Sequence, residues 1–307
     1  MGSVSSRAGL PSGGLRAAAA GELSGLVIVD KEEGWTSHDV VARLRRLLGQ
    51  RRIGHAGTLD PDATGVLLVG VGRFTRALRF LSGLPKTYHC EMVLGSTTDT
   101  LDASGEVVGN WDMSNLSLTD VRRAALGLTG EIEQVPPMFS AVKVGGERLY
   151  SKARRGEIVE RKSRRVTVHS FEVMEPVAPG IFPAGVVCST GTYVRTLVAD
   201  LGVALGGGAH LRNLRRISVG SFSVDDARTV EEVSPGSLLT PAQALRDLEQ
   251  VHVDDEVADL ARRRMPLDRV SIGARGAGPF ALVNASGMLV AIYEATATDR
   301  LVAGLVL

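Results

Sequence analysis

The sequence predicts an α+β fold, with a large body of mixed strands and helices followed by a small β-rich module. Three observations carry that reading. Short apolar runs alternate irregularly with helical stripes, without the strand–helix–strand rhythm of a doubly wound sheet. Beyond an acidic, Ser- and Pro-containing stretch at about 225–247, the pattern turns to strand alternation. At 307 residues, 44% hydrophobic and 22% charged, the chain is long enough to bury a large core and a smaller one.

Residues 1–22 read as a disordered tail, the body as 23–235 and the β-rich module as 247–307. In the body, Leu26-Val27-Ile28-Val29 is a short buried strand. Thr36 and Asp39 have capping-box spacing, and Val40, Val41, Leu44, Leu47 and Leu48 share one helical face until Gly49. Val66 to Val69 is too short for a free helix and reads as a strand buried on both faces. Phe74 to Leu81 reads as a second helix. Tyr88, Cys90, Met92 and Leu94 alternate with His89, Glu91 and Val93 as a strand, and a polar loop is expected over 95–102.

A second capping box, Ser117 to Asp120, opens a helix to about Gly127. The stretch 131–165, with Pro136-Pro137, Gly145-Gly146 and many bases, reads as an irregular basic insertion. Val166–Val173 and Gly185–Ser189 return to strand character. Gly191-Thr192 is expected to cap a helix from Tyr193 to about Leu205, and His210 to Arg216 to add a basic helix or turn. In the module, Ala281–Val283 and Leu289–Tyr293 form a hairpin, with a last strand from Arg300 to Leu307.

A net charge of +1 hides strong segregation. Residues 41–79 hold eight Arg against two Asp, and 143–165 nine Lys or Arg against three Glu, whereas 225–260 holds ten acids against two bases. Two basic clusters of similar excess suggest a polyanion surface on the first two thirds. The two cysteines give neither a disulfide framework nor a metal spacing, and no run approaches the ~20 apolar residues that span a bilayer. The chain reads as cytoplasmic. There is no P-loop, dinucleotide fingerprint, His-Glu-x-x-His or Gly-x-Ser-x-Gly, so no cofactor and no metal are expected.

The chemistry concentrates in Gly54-His55-Ala56-Gly57-Thr58-Leu59-Asp60-Pro61-Asp62-Ala63-Thr64-Gly65. Pro61 pushes Asp60 out of the helical region, leaving one carboxylate on a stiff turn at the lip of a buried strand. That suits a nucleophile or base; it equally suits an Asx turn.

This stretch resembles the catalytic motif of the bacterial tRNA pseudouridine-55 synthases. The likeness continues in order through Lys86-Thr87-Tyr88, Thr98-Asp99-Thr100, Gln134-x-Pro136-Pro137-x-x-Ser140-Ala141-x-Lys143, Arg148-Leu149-Tyr150, Ser189 to Arg195 and Gly208 to Arg216, covering roughly 25–220. It implies a mixed, mainly antiparallel sheet of the pseudouridine synthase type and a PUA-like C-terminal module. It also implies conversion of a T-loop uridine to its C-glycoside isomer, a reaction with no net electron transfer. On the resemblance, Asp60 is the nucleophile, Arg195 its partner, and Tyr88 stacks on the uracil and is placed to take the C5 proton. Tyr193 and Leu214 hold the base, and His55 wedges into the loop the base has left. Arg154, Arg155, Arg212 and Arg215 are expected at RNA phosphates.

The expected partner is the T-stem-loop of tRNA, bound by a monomer with neither guide RNA nor membrane. Two other readings are an RNA-guided synthase of the box H/ACA type and a non-catalytic tRNA-binding or folding protein. The motif residues precede residue 220, so the module is expected to help binding and to be dispensable for chemistry.

Overall fold

A computed structural model describes residues 23–140, 143–148, 155, 157, 159–297 and 300–306. The tail expected over 1–22 lies outside them. β1 (Gly25–Lys31) is the predicted buried strand. In α1 (Ser37–Leu47), Thr36 Oγ1 accepts from the Asp39 amide while the Asp39 carboxylate accepts from the Thr36 amide, the reciprocal cap read from sequence. β2 (Ile53–Ala56) and β3 (Thr64–Val71) follow, and β3 is buried along nearly all its length. The helix expected from Phe74 to Leu81 divides into a 3-10 turn (Gly72–Ala77) and α2 (Leu78–Ser82), neither with a capping side chain.

β4 (Lys86–Leu94) alternates as predicted. The expected polar loop instead begins a hairpin of β5 (Ser96–Thr98) with β6 (Val107–Asn110). Its polar side chains close the turn: Asp99 accepts from the Glu106 amide and Asp102 from that of Ser104. α3 (Leu118–Gly127) carries the second capping box. The basic insertion is strand at both ends, with β7 (Gly130–Gln134) paired to β10 (Arg164–Val173), and a small hairpin of β8 (Lys143–Val144) and β9 (Glu147–Arg148) between them.

β11 (Ile181–Cys188) leads to α4 (Val194–Ala204). Thr192 does not cap this helix; its hydroxyl donates to the Ser189 carbonyl. The segment expected as a basic helix or turn is the strand β12 (Ala209–Val219), followed by β13 (Phe222–Ser223). Pairing with β4 along one edge and with β3 on the other overrides its local pattern, and register shifts at Arg212/Arg215 and Arg216/Ser218 blur its alternation.

These strands form one nine-stranded sheet in the order β1-β3-β12-β4-β11-β10-β7, with β2 on β3 and β13 on β12. All its pairings are antiparallel except β3–β12, where Arg215 and Arg216 lie beside Thr64 and Gly65. A second, five-stranded sheet contains β14 (Glu249–Val253), β15 (Leu267–Asp268), β16 (Phe280–Asn284), β17 (Leu289–Ala295) and β18 (Arg300–Val306), in the order β14-β16-β17-β18-β15. α5 (Asp255–Arg262) packs on it through Ala258 and Ala261. Among the described residues no helix is long and apolar enough to cross a membrane.

The acidic stretch between the sheets does more than join them. Leu239 exchanges both backbone hydrogen bonds with Leu26, and Arg228 bonds to Ile28 and Asp30, so this stretch covers the open edge of β1. Ala281, Ile292 and Leu305 of the second sheet share one buried cluster with Leu26, Ile28, Phe74 and Leu81 of the first. At the rim Arg79 binds Glu294 at 2.6 Å and the Gly304 carbonyl at 3.0 Å. A continuous core across the seam ties the stability of the first sheet to the second.

Both tryptophans, Trp35 and Trp111, lie in the first part of the chain, so their fluorescence reports the first sheet alone. Ile292→Ala, at a fully buried position in the second sheet, should cost about 2–5 kcal/mol. We expect it to lower the urea midpoint of the tryptophan-detected transition; an unchanged midpoint would mean two sheets that unfold independently.

Candidate active site

The loop joining β2 to β3 is gripped by cations that bind its carbonyl oxygens. The Arg216 side chain is 1% exposed; its Nε donates to Val66 O at 2.7 Å and its Nη2 to Gly57 O at 3.0 Å. Lys31, fully buried, donates to the carbonyls of Pro61, Trp35 and Glu32 at 2.7–2.9 Å. Ser37, at the start of α1, accepts from the Leu59 amide and donates to the Leu59 carbonyl. Gly65 holds φ +101° against the Arg216 backbone, where a Cβ would collide. Carboxylate–cation pairing would neutralise these groups; carbonyl binding leaves a positive field behind the loop. Burial pushes the Lys31 ammonium down to about 8, against the pull of Asp62 and Asp60.

Asp60 leaves this clamped loop and meets Arg195, in the first turn of α4. Arg195 Nη2 lies 3.0 Å from Asp60 Oδ2, and Nη1 lies 3.0 Å from Asp102 Oδ2. The same guanidinium donates to the carbonyls of Thr100 and Phe139 at 3.0 and 2.9 Å. Asp102 is itself fixed by the Thr100 and Ser104 hydroxyls. Arg195 is thus held on all sides, with its charge shared between two carboxylates. The Asp60 side chain is 41% exposed, but into a cleft whose walls are protein. Partial desolvation raises its pKa above the usual carboxylate range, Arg195 opposing and Asp102 and Asp62 reinforcing the rise.

The cleft is a cavity of about 260 Å³. Asp60, Tyr88, Tyr193, Arg195 and Leu214 all line it, so five of the residues predicted from sequence converge although they span five elements or loops. Tyr88, 8% exposed, comes from β4. Burial pushes its hydroxyl up, while the Arg216 guanidinium beside it pulls the other way. Tyr193 is fixed by Gln134, which accepts from its amide at 2.7 Å and donates to its carbonyl at 3.1 Å. Among the described residues no three His, Cys, Asp or Glu side chains are placed to hold a metal.

His55 is on β2, outside the lining. Its ring stands edge-on to His38 with centroids 5.5 Å apart. Burial and the neighbouring His38 and Arg216 charges lower its pKa to about 4, so it is neutral at pH 7. Arg212 and Arg215 line an adjoining cavity of about 450 Å³ that shares Asp60 and Arg195 with the first. Each already holds a carboxylate, Glu91 at 2.5 Å and Asp30 at 2.7 Å. Arg155 is bound by Glu147 and Glu157 at 2.6 and 2.7 Å, and Arg154 lies outside the described residues. Charge counting located these bases but did not see their partners.

Sequence reasoning assigned no role to Lys86, Asp102, Gln134 or Ser140, although all but Asp102 sit in a motif string. Lys86 lines the cavity and donates to the Ser82 and Leu84 carbonyls; burial lowers its pKa to about 8. Ser140 lines it with a hydroxyl that is buried and, among the described residues, has no hydrogen-bond partner.

Residues 45–194 match the TruB family pseudouridylate synthase N-terminal domain, and residues 195–269 the tRNA pseudouridylate synthase B C-terminal domain. The chain is 47% identical over 264 residues to tRNA pseudouridine synthase B of Arthrobacter sp. (strain FB24), covering 83% of this chain and 85% of that protein. It is 46% identical over 278 residues to the protein of that name from Thermobifida fusca, covering 88% and 94%. Among solved structures it resembles a chain of a Cbf5-Nop10-Gar1 complex, with a TM-score of 0.70 and 25% identity over 92% of this chain and 83% of that one.

Arg216→Met keeps bulk in place while deleting the donors to Gly57 and Val66. We expect a loss of about 3 kcal/mol, since hydrogen bonds from charged groups contribute about 1.5–3 kcal/mol each. Amide exchange at residues 57–61 should accelerate more than in the second sheet. Uniform acceleration throughout would mean that Arg216 serves the core and not the loop.

Proposed function

The chain belongs to the TruB family of pseudouridylate synthases, and we propose that it isomerises uridine 55 in the T-loop of tRNA to pseudouridine, acting as a monomer without a guide RNA. The C1′–N1 bond breaks, the uracil turns, C5 bonds to C1′, and the C5 proton leaves while N1 gains one. Atoms and electrons balance with no cofactor.

The observation that carries the reading is the Asp60–Arg195 pair at 3.0 Å in a cavity walled by Tyr88, Tyr193 and Leu214. A uracil fits between aromatic and aliphatic walls once it has left the T-loop stack. Asp60 supplies the nucleophilic oxygen, and Arg195 keeps it ionised and aimed. Tyr88 stacks on the base and takes the C5 proton, with Arg216 lowering the cost of a phenolate. His55, neutral and on the strand entering the loop, fills the gap left by the extruded base. The tRNA is recognised by the shape of its folded loop and through phosphates.

Release of tritium from tRNA labelled at C5 of uridine, with purified chain and no other RNA, tests this. Dependence on added guide RNA would favour the box H/ACA type of mechanism. Tight tRNA binding with no release would favour a folding role.

Asp60→Asn keeps shape but loses the nucleophile. It should bind tRNA near-natively and release no detectable tritium, since a positioned nucleophile supplies many powers of ten. A tenth of the parent rate would remove Asp60 from the mechanism. Arg195→Lys should lose less, because charge remains but one ammonium cannot span Asp60 and Asp102 as the guanidinium does.

The pH profile has a definite sign. The reaction needs ionised Asp60, so the single-turnover rate should fall as pH drops through a pKa raised above the ordinary carboxylate value. Arg195 is the main group lowering that pKa, so Arg195→Gln should move the acid limb to higher pH. An acid limb that stays in place would show that the titrating group is not Asp60.

A further inference from the structure

The cationic side chains around the cavity are nearly all engaged within the protein. Arg195 serves Asp60 and Asp102, Arg212 serves Glu91, and Arg215 serves Asp30. Arg216 and Lys86 are spent on backbone carbonyls. Arg164 differs. Its Nε and Nη2 are buried, and among the described residues neither has a hydrogen-bond partner.

Arg164 is also well placed and well held. It opens β10 opposite Gln134 of β7, the residue that clasps the Tyr193 backbone from both sides. Its guanidinium lies over the Tyr193 ring, 4.7 Å from the centroid, and its Nη1 lies against Gly191. Tyr193 and Gly191 both line the cavity. Stacking on the ring fixes the plane of the guanidinium and so the direction in which its donors point.

Nε–H and Nη2–H form one edge of the guanidinium, two parallel donors spaced for two oxygens of a single anion. Buried donors without acceptors are costly, and the free chain bears that cost directly behind Tyr193, whose ring walls the cavity. The Ser140 hydroxyl, which does line the cavity, is likewise buried and, among the described residues, without a partner. We propose that Arg164 is the phosphate-binding residue of this site, and that its Nε/Nη2 edge takes one of the two phosphodiesters flanking the uridine that enters the cavity. The inference rests on the function proposed above and deepens it. The nucleotide is anchored by its own backbone beside the reacting base.

The test uses full-length protein and T-stem-loop RNAs carrying one neutral methylphosphonate, placed 5′ or 3′ of the target uridine. Arg164→Gln should weaken binding of the unmodified RNA roughly tenfold and reduce the slope of log K against log salt by about 0.7–0.9, one contact's worth of counterions. Arg164→Lys should keep the slope while losing several-fold in affinity, because an ammonium retains charge but not the fork. One of the two methylphosphonates should cost the parent protein about what Arg164→Gln costs, and cost Arg164→Gln nothing further. Arg155→Gln, whose guanidinium is already bound by two glutamates, should leave the slope unchanged.

Losses that add at both phosphates, or an unchanged slope in Arg164→Gln, would overturn the proposal and leave Arg164 as packing for Tyr193. If Arg164→Gln fails to fold, Arg164→Lys and the methylphosphonates on parent protein decide alone, through additivity. Tritium release by the parent protein is read separately. Its absence alongside intact binding would remove the proposed isomerisation and leave the phosphate contact standing.

Discussion

One buried guanidinium gathers the site. Arg195 emerges from the first turn of α4 and is 6% exposed, and it binds Asp60 from the loop after β2, Asp102 from the turn of the β5–β6 hairpin, and the carbonyls of Thr100 and Phe139. Three stretches of chain far apart in sequence meet on its donors. Removing a buried charge from water is expensive, and the cost is offset only when every donor finds an acceptor in good geometry. Here four acceptors face the two terminal nitrogens. The arrangement is therefore cooperative: displacing any one stretch leaves a charge unpaired, which couples the order of the hairpin and of residue 139 to the aim of the carboxylate.

The loop that presents Asp60 is stabilised by a different logic. Lys31 and Arg216 reach its carbonyl oxygens, and no carboxylate is consumed. Had these cations paired with acids, the loop would be equally fixed but electrically neutral. Carbonyl binding keeps their charge, and that charge acts on both titrating groups: Lys31 opposes the rise in the Asp60 pKa and Arg216 the rise in that of Tyr88. The clamp that positions the site also favours its anionic forms. Geometry and electrostatics come from the same side chains.

The sequence made legible what is local or repeated in pattern. Both capping boxes, the buried strands at 26–29 and 66–69, and the alternation around Tyr88 follow from period and cap chemistry, which the flanking residues alone dictate. Most of the failures share one cause. His210 to Arg216 lies in a strand because β3 and β4 take both its edges, and the register shifts around it erase the alternation that would have marked it. Thr192 looked like a cap, but Ser189 claims its hydroxyl. The acidic stretch looked like a linker, yet Arg228 and Leu239 complete the edge of β1. For β12 and the acidic stretch a long-range partner decided the outcome, and a one-dimensional pattern holds no record of it; at Thr192 the competing acceptor is local, three residues back. The site divides the same way. Asp60, Tyr88, Tyr193, Arg195 and Leu214 came from motif resemblance, whereas the neutralising partners of Arg155, Arg212 and Arg215 became visible only in three dimensions.

Those neutralised arginines change how the basic excess should be understood. A guanidinium already bound by a carboxylate gives an incoming phosphate little net attraction, because the pair presents a dipole where a free base presents a charge. The long-range field of the basic clusters still draws a polyanion toward the right face. Close to the cavity, selectivity passes to the few donors that the folded chain leaves unmet. Such donors raise the free energy of the unbound protein and are satisfied only in the complex, so they favour binding of a ligand that brings acceptors at the right spacing over one that brings charge alone. Folding and recognition are linked here through what the fold leaves unbonded: a chain that satisfied every polar group internally would be more stable and would have less with which to tell its substrate from any other RNA.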